Sequence, residues 1–303
     1  MATRTIDRRL TASALVLSAL VVFTPAALFA QGNSGKSHGK SKAPSSSPLP
    51  VAASGAPGIG ATPVAWVDDA NLMPSGAIAI DVSASHWAGS ESGETSFPVV
   101  NFSVGLTDRL QFAASVPRVV ADETAGVVGG LGTTYVSGKY AAYMNNDAGI
   151  KVAVAPTLEL LGTGVLSSLG PDETRAQFGI PVSLEVDRDG KRFYGSTGWF
   201  SRGVWFAGAG MGMQLTRRTG LSASFSHSWT SVDPTIATPR DRTEVSGGLA
   251  FAATPNVSLF ASLGHTIATL DENGAGATMS AGVSFYVAPQ RTVRKKGRRR
   301  IEN

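Results

Sequence analysis

The stretch Val100 to Val119, VNFSVGLTDRLQFAASVPRV, limits what this chain can become more than any other. Val100, Phe102, Val104 and Leu106 alternate with Asn101, Ser103 and Gly105. After a polar break, Leu110, Phe112, Ala114 and Val116 alternate with Gln111, Ala113 and Ser115. A period of two belongs to a strand with unlike faces, and Thr107, Asp108 and Arg109 between the arms suit a tight turn. The pattern recurs around Thr216-Arg217-Arg218 and around Thr254-Pro255-Asn256.

From Ser75 onward we read about twelve such segments, each close to the nine to eleven residues that cross a bilayer at a tilt. They are 76–87, 96–106, 110–119, 133–144, 150–161, 174–186, 191–200, 203–215, 220–230, 242–253, 257–267 and 276–287. Short joints alternate with long ones, the brief Ser201-Arg202 joint excepted, as in barrels with turns at one end and loops at the other. The expected fold is all-β, a transmembrane antiparallel up-and-down β-barrel of about twelve strands, with roughly 10 to 14 as the range.

The flanks are of other kinds. Residues 1–30 read as a secretory signal peptide: a basic start, an apolar run from Thr11 to Phe29, and Ala27 to Ala30 ahead of Gln31. Residues 31–74 are a Gly, Ser, Pro and Lys-rich linker followed by a lead-in, WVDDANLMP, open to two readings, a plug or a latch at the barrel mouth. The barrel occupies 75–288, and 289–303 form a basic tail with seven Lys+Arg and one Glu, suited to anionic headgroups. Although the whole chain carries +4, residues 75–290 hold 13 Lys+Arg against 18 Asp+Glu, a difference of −5. The high pI is therefore a property of the termini and does not point to nucleic acid. With no cysteine, the chain has neither disulfides nor thiolate metal sites, and no cofactor motif occurs.

Parity sorts the strand residues. Ala176, Phe178, Ile180, Val182, Leu184 and Val186 mark an outward face, while Asp81, Asn101, Gln111, Lys139, Lys151, Glu159, Arg175, Gln177, Glu185, Arg192, Arg242 and Glu244 mark the lumen. Five basic and four acidic residues in that set nearly cancel, which suits either a narrow path or a filled interior. Gly208, Gly210 and Gly212 face inward on one strand and leave either a groove or room for large neighbours. Trp87, Trp199, Trp205 and Trp229 fall at strand ends on the long-loop side, the level of a membrane-interface girdle. Asp122, Glu123, Asp172, Glu173, Asp271 and Glu272 fall on the long loops and make an acidic extracellular mouth.

Two resemblances add to this. Ser280, Gly282, Phe285 and Val287 are spaced like the C-terminal insertion signal read by the outer-membrane assembly machinery, although here a tail follows. The run LMPSGAIAID, then VGLTDRLQFAASVPRV, then GGLGTTYVSGKYAAYMNNDAGIKVAVAPTLELLGTG resembles the outer-membrane family named for the meta-pathway of phenol degradation. In that family Gly-Leu-Gly-Asp commonly precedes the strand ending Lys-Tyr; here Gly130-Leu131-Gly132 is followed by Thr133 and leads to Lys139-Tyr140. The resemblance implies a barrel for uptake of small, often hydrophobic or aromatic, compounds.

The expected function is passive transport of a small-molecule solute across the outer membrane, by a protein with outer-membrane lipid, lipopolysaccharide and the assembly machinery as partners. The alternatives are a structural or surface-interaction barrel with a sealed lumen, and a lipid hydrolase. For the last, His86, His227 and His265 lie near strand tops, but Ser228 has lumenal parity while His227 faces out, and the His-x-Ser-Asn-Gly pattern of phospholipase barrels does not occur. No catalytic or metal site is expected.

Overall fold

The computed structural model describes residues 67–89, 93–123, 127–163, 175–188, 190–201, 203–231, 241–270 and 275–287. Residues 1–66, which include the expected signal peptide and linker, and residues 288–303, which include the expected basic tail, lie outside them. Fifteen strands appear in chain order: β1 (Ile78–Gly89), β2 (Gly93–Thr107), β3 (Leu110–Val119), β4 (Gly130–Leu131), β5 (Thr134–Asn145), β6 (Ile150–Val154), β7 (Thr157–Leu160), β8 (Ala176–Gly179), β9 (Val182–Arg188), β10 (Lys191–Phe200), β11 (Val204–Gln214), β12 (Thr219–Thr230), β13 (Arg242–Thr254), β14 (Val257–Thr269) and β15 (Gly276–Val287). They make twelve staves. β6 with β7, and β8 with β9, are halves of single staves, and β4 only extends the edge beside β3.

The two broken staves differ from the uninterrupted segments expected at 150–161 and 174–186. Each break falls at a proline, Pro156 and Pro181, which has no N–H for the ladder. The wall stays joined, because Gly138 N–H donates to the Pro156 carbonyl at 3.1 Å and Ala155 N–H to the Pro181 carbonyl at 2.8 Å.

Every stave is antiparallel to its neighbours, and β1 pairs with β15 from Ile78↔Val287 to Gly89↔Gly276, which closes the barrel. Gly282, beside Ser83 in that seam, is needed for its small size: a Cβ there would press on the Val82 carbonyl and the Ser83 side chain. Ser280 faces inward and bonds Ser262 at 2.6 Å, while Phe285 and Val287 face out.

Four of the short turns share a device. A side-chain oxygen at the start of each accepts an N–H a few residues on: Thr107 from Arg109 at 3.1 Å, Thr216 from Arg218 at 3.1 Å, Thr254 from Asn256 at 3.2 Å and Asn145 from Ala148 at 3.1 Å. Hydroxyl and amide groups thus replace the backbone partners a tight turn removes, and they set the register of the staves they join.

Outward faces are apolar and open to lipid: Phe178 is 53% exposed, Leu184, Phe225, Leu249 and Leu263 are exposed likewise. At the long-loop end Trp199, Trp205 and Trp229 occupy neighbouring register positions on β10, β11 and β12, all with outward parity. Trp199 meets Phe178 edge-on with centroids 5.6 Å apart, and His227 stacks on Trp229 at 5.6 Å. Trp87 departs from the girdle expected of it. On β1 the outward positions are Ile78, Ile80 and Val82, so Trp87 shares the inward parity of Asp81 and Ser83. Its ring lies against Gly89 and Gly276, whose missing side chains make the space.

These opposed faces give a test. Leu249→Arg, on the lipid face of β13, should cost about 2–4 kcal/mol of folding free energy in vesicles. Ser246→Arg, three residues away on the lumenal face, should change it by only about 0.5 kcal/mol. Denaturant titration of the refolded barrel, followed by its Trp fluorescence, checks the difference.

Candidate functional site

The lumen is crossed by the segment before β1. The chain turns inward at the short-turn end, where Gly76 N–H donates to the Gly105 carbonyl at 2.6 Å, Gly105 N–H to the Ala77 carbonyl at 3.0 Å and Ala77 N–H to the Pro74 carbonyl at 2.9 Å. Gly105 must be glycine here, since a Cβ would strike the backbone of Met73 and Pro74. Read backwards from there, residues 73 to 67 form a strap from the β2–β3 wall to β11. Met73 N–H donates to Gln111 Oε1 at 2.8 Å and Ser103 Oγ lies 2.9 Å from Met73 Sδ. Asn71 Oδ1 accepts from Lys151 Nζ at 2.8 Å, and Asp68 N–H donates to Ser196 Oγ at 3.0 Å. Val67 packs over Gly208, and Ala70 is fully buried.

The strap is held mainly by charge. Lys139 Nζ lies 2.7 Å from Asp68 Oδ2 and 3.7 Å from Asp69 Oδ1, and donates to the Asp69 carbonyl at 3.0 Å. Arg192 Nη1 lies 2.7 Å from Asp69 Oδ2 and 3.9 Å from Glu185 Oε2. Lys151 Nζ lies 3.3 Å from Glu185 Oε1, and Glu185 itself is 1% exposed. Three cations, Lys139, Lys151 and Arg192, face three carboxylates, Asp68, Asp69 and Glu185, so the cluster is neutral only while the strap is in place. Removing one partner of a buried ion pair costs about 3–5 kcal/mol, because the other is left uncompensated. Strap and wall therefore stabilise one another strongly.

Above this waist lies a second polar group. Tyr135 O–H donates to Glu159 Oε1 at 2.8 Å, and Arg242 Nε pairs with Glu244 Oε1 at 2.9 Å, with Thr266 bonded to both. Asp81 stands on the lumenal wall between the register positions of Asn101 and Ser284. Arg175 keeps the parity of Gln177 but stands just ahead of β8, exposed and outside both groups. The glycine row on β11 accommodates neighbours: Gly208 faces Val67, Gly210 the Tyr194 ring and Gly212 the Arg192 guanidinium. Of the acidic mouth, Asp122 is paired with Val127 in a small loop bridge and Glu123 is exposed. Asp172, Glu173, Asp271 and Glu272 lie outside the described residues. His86 and His227 contact Thr95 and Thr243 at 2.9 Å, and no group of three or more potential metal ligands occurs among the described residues.

Sequence reasoning left the lead-in unplaced. A signal was available: at the waist, parity puts three cations beside one carboxylate, and the two consecutive aspartates nearest in sequence to the barrel are Asp68 and Asp69.

Comparison with solved structures agrees with this architecture. The chain superposes on an outer-membrane channel from Pseudomonas putida F1 with TM-score 0.53 at 17% identity, over 72% of this chain and 98% of that one. It superposes on the NanC porin with TM-score 0.51 at 14% identity, over 68% and 98%. What is shared at such identity is the fold, a closed twelve-stranded antiparallel barrel of the outer-membrane type. No protein-family model and no curated protein matches the sequence.

The strap's attachment can be measured, because the chain lacks cysteine and an introduced thiol is unique. Val67→Cys should react slowly with a polar maleimide. In a Lys139→Met background, with the barrel shown folded by its gel migration, the rate should rise at least about tenfold as the strap comes free.

Proposed function

We propose that the protein is a passive outer-membrane channel for small molecules whose waist is occupied by its own N-terminal strap. The observation that carries this reading is the strap itself. A barrel meant only as a wall could fill its interior with side chains, whereas here the filling is a separate segment, joined to the wall through ion pairs and a few hydrogen bonds. Such an element can leave the lumen without breaking a single stave-to-stave hydrogen bond. Solute then passes under its own gradient, and no bond is made or broken. The resemblance to the phenol meta-pathway family suggests aromatic compounds among the solutes. An N-terminal signal peptide and a strand resembling the insertion signal, with outward Phe285 and Val287, support delivery to the outer membrane.

The sealed structural barrel is the second reading, favoured by the neutral, densely bonded waist. The two part company on one measurement. In planar bilayers, the Asp68→Ala/Asp69→Ala double variant should conduct several-fold more than the unaltered chain. If the strap is shown free by thiol labelling and conductance still does not rise, the barrel is sealed by other means and the channel reading fails.

A further inference from the structure

We infer that Lys139, Lys151 and Arg192 form a site for a solute carrying two carboxylates, and that Asp68 and Asp69 occupy it as a built-in substitute. The inference rests on the channel reading above and names the solute class for the same waist.

Three observations support it. First, the strap presents to the wall what a dicarboxylate would present, two adjacent carboxylates, with Lys139 reaching both and Arg192 taking the second. Second, the substitute is an incomplete fit. Arg192 uses Nη1 for Asp69, while its Nη2 is buried and has no hydrogen-bond partner. A guanidinium binds a carboxylate best by donating two parallel N–H bonds to it, so a free carboxylate, unconstrained by the strap backbone, can satisfy the nitrogen that Asp69 leaves without an acceptor. Third, the charge count demands an anion. With the strap withdrawn, three cations would face Glu185 alone, a surplus of two positive charges, which a dianion of this kind neutralises as the strap did. Arg192 is further fixed for the task by the Tyr194 ring, 5.3 Å beneath its guanidinium.

Solute and strap then compete, and binding of the solute is what frees the path. Asp122 and Glu123, exposed on the loop after β3, do not counter this, because exposed charges are screened over about 8 to 10 Å, whereas the waist charges are enclosed.

The test uses the full chain in liposomes, with uptake of a neutral pentose as the readout and succinate as the probe. With the unaltered chain, succinate should raise pentose uptake severalfold over sodium chloride of equal ionic strength, and acetate should do much less. With the Asp68→Ala/Asp69→Ala variant, uptake should start high and succinate should now lower it, by occupying the open waist. Arg192→Gln placed in that variant should weaken the block at least about tenfold in succinate concentration. If the double variant takes up pentose no faster than the unaltered chain, the strap does not gate and the channel reading falls with this one. If the variant is open but succinate acts no differently from chloride on either protein, the dicarboxylate site alone is overturned.

Discussion

In a hydrocarbon slab every backbone N–H and C=O needs a partner within the protein, and a sheet meets that demand only by having no edge. The β1–β15 seam is where this chain does so, twelve register pairs long, and other features follow from it. Closure with twelve staves leaves an interior too wide for apolar side chains to fill from the wall. That interior must therefore hold water, polar side chains or another piece of chain. Among the described residues it holds most of the polar side chains that parity sends inward, and the strap of residues 67–73. The two prolines show how much slack the rule allows: Pro156 and Pro181 each forgo one ladder bond, yet their own carbonyls keep their donors and the staves stay in line.

Much of this was legible in the sequence because a strand's period of two is a strong local signal. Stave positions, the lumenal placement of Lys139, Glu159, Glu185 and Arg242, and the hydroxyl-capped turns are all readable from alternation and turn chemistry. Trp87 shows the difference between two uses of one pattern. Its height along β1 suggested the girdle, but its parity, counted from Ile78 and Ile80, already put it inside; the indole followed parity because Gly89 and Gly276 gave it room. Pro156 and Pro181 were equally visible, and only their cost to the ladder went uncounted.

The strap was not legible, for a physical reason. It has no period, since it packs into neither a sheet nor a helix, and its partners lie 70, 80 and 123 residues away in sequence. Its place is set by charge balance across the barrel, which can be read only after the staves have been arranged in order. Composition set WVDDANLMP apart from the Gly/Ser/Pro linker as a lead-in, but held nothing to say which wall residues it meets.

The lumen is also lopsided, and this bears on the proposed release of the strap. The staves from β5 to β10 carry the large polar groups, Tyr135, Lys139, Lys151, Glu159, Glu185, Arg192 and Tyr194, and they hold most of the strap's ion pairs. The staves from β12 to β15 carry one charged pair, Arg242–Glu244 near the long-loop end of β13, and otherwise present small groups, with Ser224 bonded to Ser246 and Ser262 to Ser280 at 2.6 Å, between Gly248 and Gly264. Ser246 is exposed although its parity is lumenal, so open space lies on that side. A strap released from Lys139 and Arg192 thus has room to swing about its fixed end at Gly76 and Ala77, toward a wall of hydroxyls that exchange readily between neighbours and water. Because the charged groups that hold the strap are concentrated on one side, the proposed release needs only a few ion pairs to break while the wall stays intact. A lumen lined evenly with large charged groups would leave the strap nowhere to go.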